Sequence, residues 1–261
     1  MLSTTEIIDF LQGTKDRFGE LCHKYNPGCV PKEQSFDSQM GPLQVAVSRG
    51  EVFEKASYSY CDLEIDTPPV LAEQMGKKVP KMRCICLEIN LFPANPHVPK
   101  SYIELRINIA GRVVLAGGTD IFPYFPNRAD SDFFGGRMKE LCATHGQDYE
   151  RLRQVRADFF QSKLRSQPVG SHTGIYFFSL EEVAFPFFQA MADTYFTSYE
   201  ELVKRRSGEP VGREEKEHQR KLHGHWAQWI MLEDEGTLFG LKKGIPIDAL
   251  LGAILPPAAV F

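Results

Sequence analysis

The chain opens on a helical pattern. Ile7, Ile8, Leu11, Phe18, Leu21 and Cys22 recur at helical spacing behind Thr4 and Thr5, either of which can cap. They predict a helix to about His23, ended by Gly28 and Pro31. From Leu43 to about Ile65 the pattern is strand-like around Gly50, until Thr67-Pro68-Pro69 breaks it, and Gln74 to Lys81 reads as a polar loop. Arg83 to Phe92 then alternates, with Ile85, Leu87, Ile89 and Leu91 on one face and Cys84, Cys86, Glu88 and Asn90 on the other. The next strand alternates most cleanly: Ile103, Leu105, Ile107 and Ile109 against Tyr102, Glu104, Arg106 and Asn108. Gly111 permits a turn into Val113 to Ala116. The connections are too short for crossover helices, so antiparallel pairing is expected.

The middle turns helical over Ser131 to Thr144 and Gln147 to Ser166, then gives a strand over Gly174 to Leu180 and a helix from Glu182 to Arg206, interrupted near Pro186. A charged helix over Gly212 to Leu222, a strand over His225 to Leu232 and an amphipathic stretch over Ile245 to Ile254 complete the chain. No repeat or linker interrupts it, so the expectation is one α+β domain over 1–261, a large antiparallel sheet covered by helices.

Composition narrows the function. Thirty Lys and Arg against 34 Asp and Glu argue against a protein held to nucleic acid by a bulk basic field. No apolar run reaches the length of a membrane span, and the first residues read as a mature amino terminus rather than a signal or transit peptide. The six scattered Cys lack C-x-x-C or His/Cys zinc spacing and read as reduced thiols of a cytoplasmic protein with no structural metal.

The candidate chemistry gathers on a few segments. Gly117-Gly118-Thr119-Asp120 follows a strand: two Gly allow a sharp turn and close approach to a ligand, leaving Asp120 at a strand end. Asp120 either faces a pocket or is a turn residue bonding its own backbone. Arg106 shares a face with Tyr102 and Glu104, where it either grips a ligand carboxylate or pairs with a neighbouring acid such as Glu88. His223 and His225 flank Gly224 and would share one face of a strand; with His172 they either ligate a metal or haem iron or make structural hydrogen bonds. Phe122, Tyr124, Phe125, Tyr176, Phe177, Phe178, Trp226 and Trp229 either bracket a flat ligand or pack the core.

Six segments, in order, resemble the oxygen-dependent coproporphyrinogen III oxidase family. They are Gly50-Glu51-Val52-Phe53-Glu54-Lys55-Ala56, Asn95-Pro96-His97-Val98-Pro99, Gly117-Gly118-Thr119-Asp120-Ile121-Phe122-Pro123, Gly174-Ile175-Tyr176-Phe177, Gly236-Thr237-Leu238-Phe239-Gly240-Leu241 and Leu255-Pro256-Pro257. The resemblance implies a flat antiparallel sheet sandwiched between helices, a homodimer, and a tetrapyrrole pocket on one sheet face. It implies oxidative decarboxylation of propionates on a porphyrinogen or related tetrapyrrole, with O2 as co-substrate and no metal or organic cofactor. Asp120 would take the catalytic carboxylate role. Arg106 would hold a propionate, and Tyr102, Glu104, Gly118, His172, His223, His225 and Trp226 would complete the substrate site.

The departures point to a divergent member. Tyr102 and Glu104 stand where the family has His and Asn, Gly170 falls at about the position of a family Arg, and Phe178-Ser179 replaces an acidic pair. Leu222-His223-Gly224-His225-Trp226 replaces an Arg-rich segment. Fewer fixed cations and more aromatic surface suit a flat ligand with fewer or differently placed carboxylates. Two alternatives stand beside the enzyme: a non-catalytic tetrapyrrole-binding protein, and a haem- or metal-dependent enzyme using its His residues.

Overall fold

A computed structural model describes residues 2–67 and 80–261. Helix α1 (Thr4–Tyr25) starts from a capping box in which Ser3 and Glu6 satisfy each other's backbone amides. It buries Ile7, Leu11, Thr14, Phe18, Leu21 and Cys22 as one stripe. Strands β1 (Lys32–Ser38), β2 (Gly41–Ser48), β3 (Phe53–Asp66), β4 (Lys81–Pro93), β5 (Lys100–Ile109) and β6 (Val113–Phe122) follow as antiparallel neighbours. Helices α2 (Arg128–Thr144) and α3 (Tyr149–Phe159) come next, then a small hairpin of β7 (Gln161–Ser162) and β8 (Gln167–Pro168). Strand β9 (Ile175–Glu181) returns beside β6, closing a seven-stranded sheet in the order β1-β2-β3-β4-β5-β6-β9. Helices α4 (Phe185–Arg206), α5 (Arg213–Leu232), α6 (Glu235–Lys242) and α7 (Ile247–Leu251) complete the described chain.

The register makes the two faces different. Ile85, Leu87 and Ile89 sit opposite Ile107, Leu105 and Ile103, and this apolar face packs with α1, α2 and α4 in the main core. The opposite face carries Cys86, Glu88 and Asn90 against Arg106, Glu104 and Tyr102. It is covered by Phe160, by Trp226, Trp229 and Ile230 of α5, and by Ile254. The sheet therefore lies between helical layers, as expected.

Several local expectations change. The segment from His225 to Leu232 is helical, continuing α5. Gln219, His223, Trp226 and Ile230 recur every three or four residues and are buried, which is the period of a helix against a flat sheet. Gly224 is part of that packing, since a Cβ there would stand 2.1 Å from the Val260 carbonyl oxygen. Gly117 and Gly118 lie inside β6 rather than in a turn. Gly117 has φ of +128°, beside a bulge between Leu115 and Gly117, and a Cβ on it would meet the Glu104 carbonyl oxygen at 2.1 Å. The helix expected over Gln147 to Ser166 stops at Phe159 and yields to the hairpin. Pro186 begins α4 in its first turn instead of breaking it, where its missing N–H costs no helical bond. The amphipathic stretch expected over Ile245 to Ile254 contains the short helix α7. Pro68, Pro69 and most of the loop expected from Gln74 to Lys81 lie outside the described residues.

Candidate functional site

On the polar face, β4 and β5 place Glu88 directly opposite Glu104, and Cys86 opposite Arg106. Glu104 is the hub. Its Oε2 accepts from the Tyr102 hydroxyl at 2.6 Å and from the Tyr176 hydroxyl at 2.8 Å, and its Oε1 lies 3.4 Å from Arg106 Nε. Tyr176 reaches Glu104 across β6 because the residue between them is Gly118, which pairs with Glu104 on one side and Tyr176 on the other. A Cβ on Gly118 would stand 2.8 Å from the Tyr176 ring. Arg106 Nη2 also donates to the Tyr176 hydroxyl at 3.3 Å. The acid that Arg106 meets is Glu104 on its own strand rather than Glu88.

The electrostatics follow from burial. Glu88, whose Oε1 accepts from Asn90 Nδ2 at 2.7 Å, is pushed up to about 8 by burial and then by the nearby Glu104 charge. Burial thus favours its protonated form at neutral pH. The Tyr102 and Tyr176 phenols are held well above their ordinary value by burial and by Glu104. Asp234, at the start of α6, is also raised by burial. The Arg106 side chain keeps 29% of its surface exposed, against 10% for Glu104. The row can accept hydrogen bonds from N–H groups at Glu104, hand over a proton at Glu88 and pair an anion at Arg106.

Asp120 stands apart. It points into protein, and both it and Arg156 of α3 are fully buried, with Oδ2 2.5 Å from Arg156 Nη2. Its Oδ1 accepts from Ser171 Oγ at 2.7 Å and from the Gly174 amide at 2.9 Å. Arg156 also donates to the Val169 carbonyl at 2.7 Å and lies against the rings of Phe122 and Phe160. Gly170 makes room for this: with φ of +108°, a Cβ on it would stand 2.0 Å from Arg156 Nη2. Where the resembled family has an Arg at about Gly170, this chain brings a guanidinium to the same neighbourhood from α3. The signal for Arg156 was legible in part, since it falls four residues after Leu152 on the buried side of its helix.

The remaining candidates separate into two places. His172 lies beside the Asp120–Arg156 pair in the loop before β9, half-buried with φ of 60°, and burial lowers its pKa. His223, His225 and Trp226 line a cleft of about 160 Å³ between α5, the end of β6 and the hairpin. Two residues apart on a helix, His223 and His225 point in different directions. His223 is buried with both ring nitrogens engaged, one with the Tyr124 hydroxyl at 2.7 Å and one with the Ala258 carbonyl at 2.9 Å, and burial lowers it to about 4. That leaves it no free nitrogen for iron. Among the described residues no three His, Cys, Asp or Glu side chains are placed to hold a metal ion. Trp226 donates its indole N–H to the Ile254 carbonyl at 2.8 Å and packs its ring on Phe122. The cysteines are all free thiols. Lys100, which the sequence did not single out, is buried at the same cleft with four aromatic rings around its Nζ.

A seven-stranded antiparallel sheet between helical layers, with a buried titratable row on one face, defines an α+β class built around that face. Within this class, the chain matches the coproporphyrinogen III oxidase family over residues 7–261 and belongs to that family. Among solved structures it is similar to the selenomethionine form of phytochromobilin synthase from tomato, determined in complex with biliverdin. The match has a TM-score of 0.60 at 11% identity and covers 93% of this chain and 83% of that one. At that identity the likeness is one of fold. No helix among the described residues is long and apolar enough to cross a membrane.

Proposed function

We propose that the protein binds a tetrapyrrole bearing few carboxylates against the polar sheet face and oxidises it, in the manner of its family. The observation that carries this reading is the row of Glu88, Glu104 and Arg106 framed by Tyr102 and Tyr176. Glu104 accepts hydrogen bonds from pyrrole N–H groups in place of the two phenols, and Arg106 pairs one propionate. The oxidation is balanced by dioxygen. A propionate loses its carboxylate as carbon dioxide and a hydrogen from its β-carbon, as one proton and two electrons, to leave a vinyl group. O2 takes up the two electrons, that proton and a second one from solvent as hydrogen peroxide. No bound cofactor is part of the proposal. The homodimer implied by the family belongs to it and is read by sedimentation.

Phe160, Trp226 and Trp229 cover this face, so the proposal requires them to move aside for the ligand. A second reading is a binder without turnover. It is favoured by the Asp120–Arg156 pair, which neutralises inside the protein the acid that would otherwise activate the ring. Titration against coproporphyrin, protoporphyrin, haem and a linear bilin reads binding, and aerobic incubation with coproporphyrinogen followed by product mass reads turnover. A divinyl product supports the enzyme, and tight binding without product supports the carrier. No affinity for any tetrapyrrole ends both readings.

A further inference from the structure

The cleft between α5, the end of β6 and the β7–β8 hairpin lies apart from the polar row, since none of Glu88, Glu104 or Arg106 lines it. Its walls are apolar: Phe122, Val169, Leu222 and Trp226 form them. Its basic groups are Lys100, Arg165, His223 and His225, and among the described residues no Asp or Glu lines it. Two of the four are already occupied. Lys100 is enclosed behind the rings of Phe122 and Trp226, and both nitrogens of His223 are engaged by Tyr124 and Ala258. Arg165 and His225 are not matched in this way. Arg165 is exposed on the hairpin, and its Nε, at 2.8 Å, and its Nη2 share one neutral acceptor, Gln228 Oε1. Among the described residues no carboxylate pairs with Arg165, and neither ring nitrogen of His225 has a hydrogen-bond partner.

Helix α5 brings the two together. Gln228, which anchors the guanidinium, lies three residues after His225, so both stand on one side of the helix a turn apart. The positive field is felt at His225: burial lowers its pKa, and the charges of Arg165, Lys221 and His218 lower it further. Two donor groups without an anion, at the rim of an apolar cleft, suit a carboxylate. The space sets the rest of the ligand. An apolar cavity of about 150 Å³ holds one benzene ring, and this cleft measures about 160 Å³. We propose that the cleft binds a monocyclic aromatic carboxylate, with its ring against Phe122 and Trp226 and its carboxylate between Arg165 and His225. This is a binding site, with no bond made or broken. It stands or falls independently of the tetrapyrrole reading, which is carried by Glu88, Glu104 and Arg106.

The test titrates the full chain with benzoate at neutral pH. It reads tryptophan fluorescence, since Trp226 forms a wall of the cleft, and calorimetry for stoichiometry. One benzoate per chain is expected, with a dissociation constant of about 1 mM or below. Benzamide, which has the same shape and no charge, should bind at least about tenfold more weakly. Inorganic phosphate, which has the charge and no ring, should not displace benzoate at equal concentration. Arg165→Met and His225→Gln should each weaken benzoate by about fivefold or more and leave benzamide unchanged. Arg165 is exposed, so its variant is expected to fold as the parent does, and the benzoate–benzamide comparison on the unaltered chain needs no variant. Absence of saturable benzoate binding, equal affinity for benzamide, or parental affinity in both variants overturns the proposal. Displacement by phosphate as effective as by unlabelled benzoate overturns it too, since the cleft would then be selecting charge alone.

Discussion

Replacing Asp120 by Asn isolates the buried ion pair between β6 and α3. The substitution keeps the shape and the Oδ1 that accepts from Ser171 and Gly174, but removes the charge facing Arg156. Both side chains are fully buried, so water cannot screen the guanidinium left behind. Arg156 Nε and Nη1 already lack hydrogen-bond partners, and Nη2 would keep the Val169 carbonyl. Breaking a buried pair on one side costs about 3–5 kcal/mol. For a chain of this size that lowers Tm by roughly 6–20 °C. Sequence reasoning alone would expect such an isosteric change at a site carboxylate to spare stability and abolish activity; the ion pair reverses the first half of that expectation. The assay is thermal and urea unfolding of Asp120→Asn, Arg156→Met and the double variant. The double variant should recover at least about 2 kcal/mol relative to the sum of the singles, because no unpaired charge remains. A melting temperature for Asp120→Asn within about 2 °C of the parent, or additive effects in the cycle, would refute the reasoning.

Gly170→Ala should destabilise by at least about 2 kcal/mol in urea unfolding, because its Cβ would meet Arg156 Nη2 at 2.0 Å at a φ of +108°. His223, lowered to about 4 by burial, is neutral in the folded protein, while the unfolded chain takes up the proton below about 6.5. Stability should therefore fall as pH drops through that window, by about 2 kcal/mol at pH about 5, and His223→Gln should remove this component of the pH profile. Glu88 works in the opposite sense: raised to about 8, it favours the folded state while protonated, and this contribution is lost as pH rises from about 4.5 to 8. Glu88→Gln should flatten that decline and gain on the parent most at the alkaline end. Arg106→Met should weaken binding of a propionate-bearing tetrapyrrole by about tenfold or more while changing Tm by only a few degrees, since its side chain is partly exposed; unchanged affinity would remove it from the site.

Much of the fold was legible because its strands obey a strict two-residue period. Ile85, Leu87 and Ile89 against Glu88 and Asn90, and Ile103 and Leu105 against Glu104 and Arg106, leave one arrangement that buries the apolar set. The segment expected as a strand over His225 to Leu232 is helical, and the buried Gln219, His223, Trp226 and Ile230 follow a helical period. The shared face of Tyr102, Glu104 and Arg106 was also readable, since it needs only alternation along β5. The Glu104–Tyr176 contact was not, because it spans 72 residues and exists only through the absent side chain of Gly118 between them.

By itself, then, the sequence determined which residues face in and out along each strand and at the amino-terminal helix, because those are short-range consequences of side-chain period and burial. Only the tertiary structure decided that Asp120 is matched by Arg156 of a distant helix and that Lys100 is enclosed by Trp226 and Phe122. Charge, solvation and free space at these positions are set by elements far apart in the chain, and a local pattern carries no record of which of them meet.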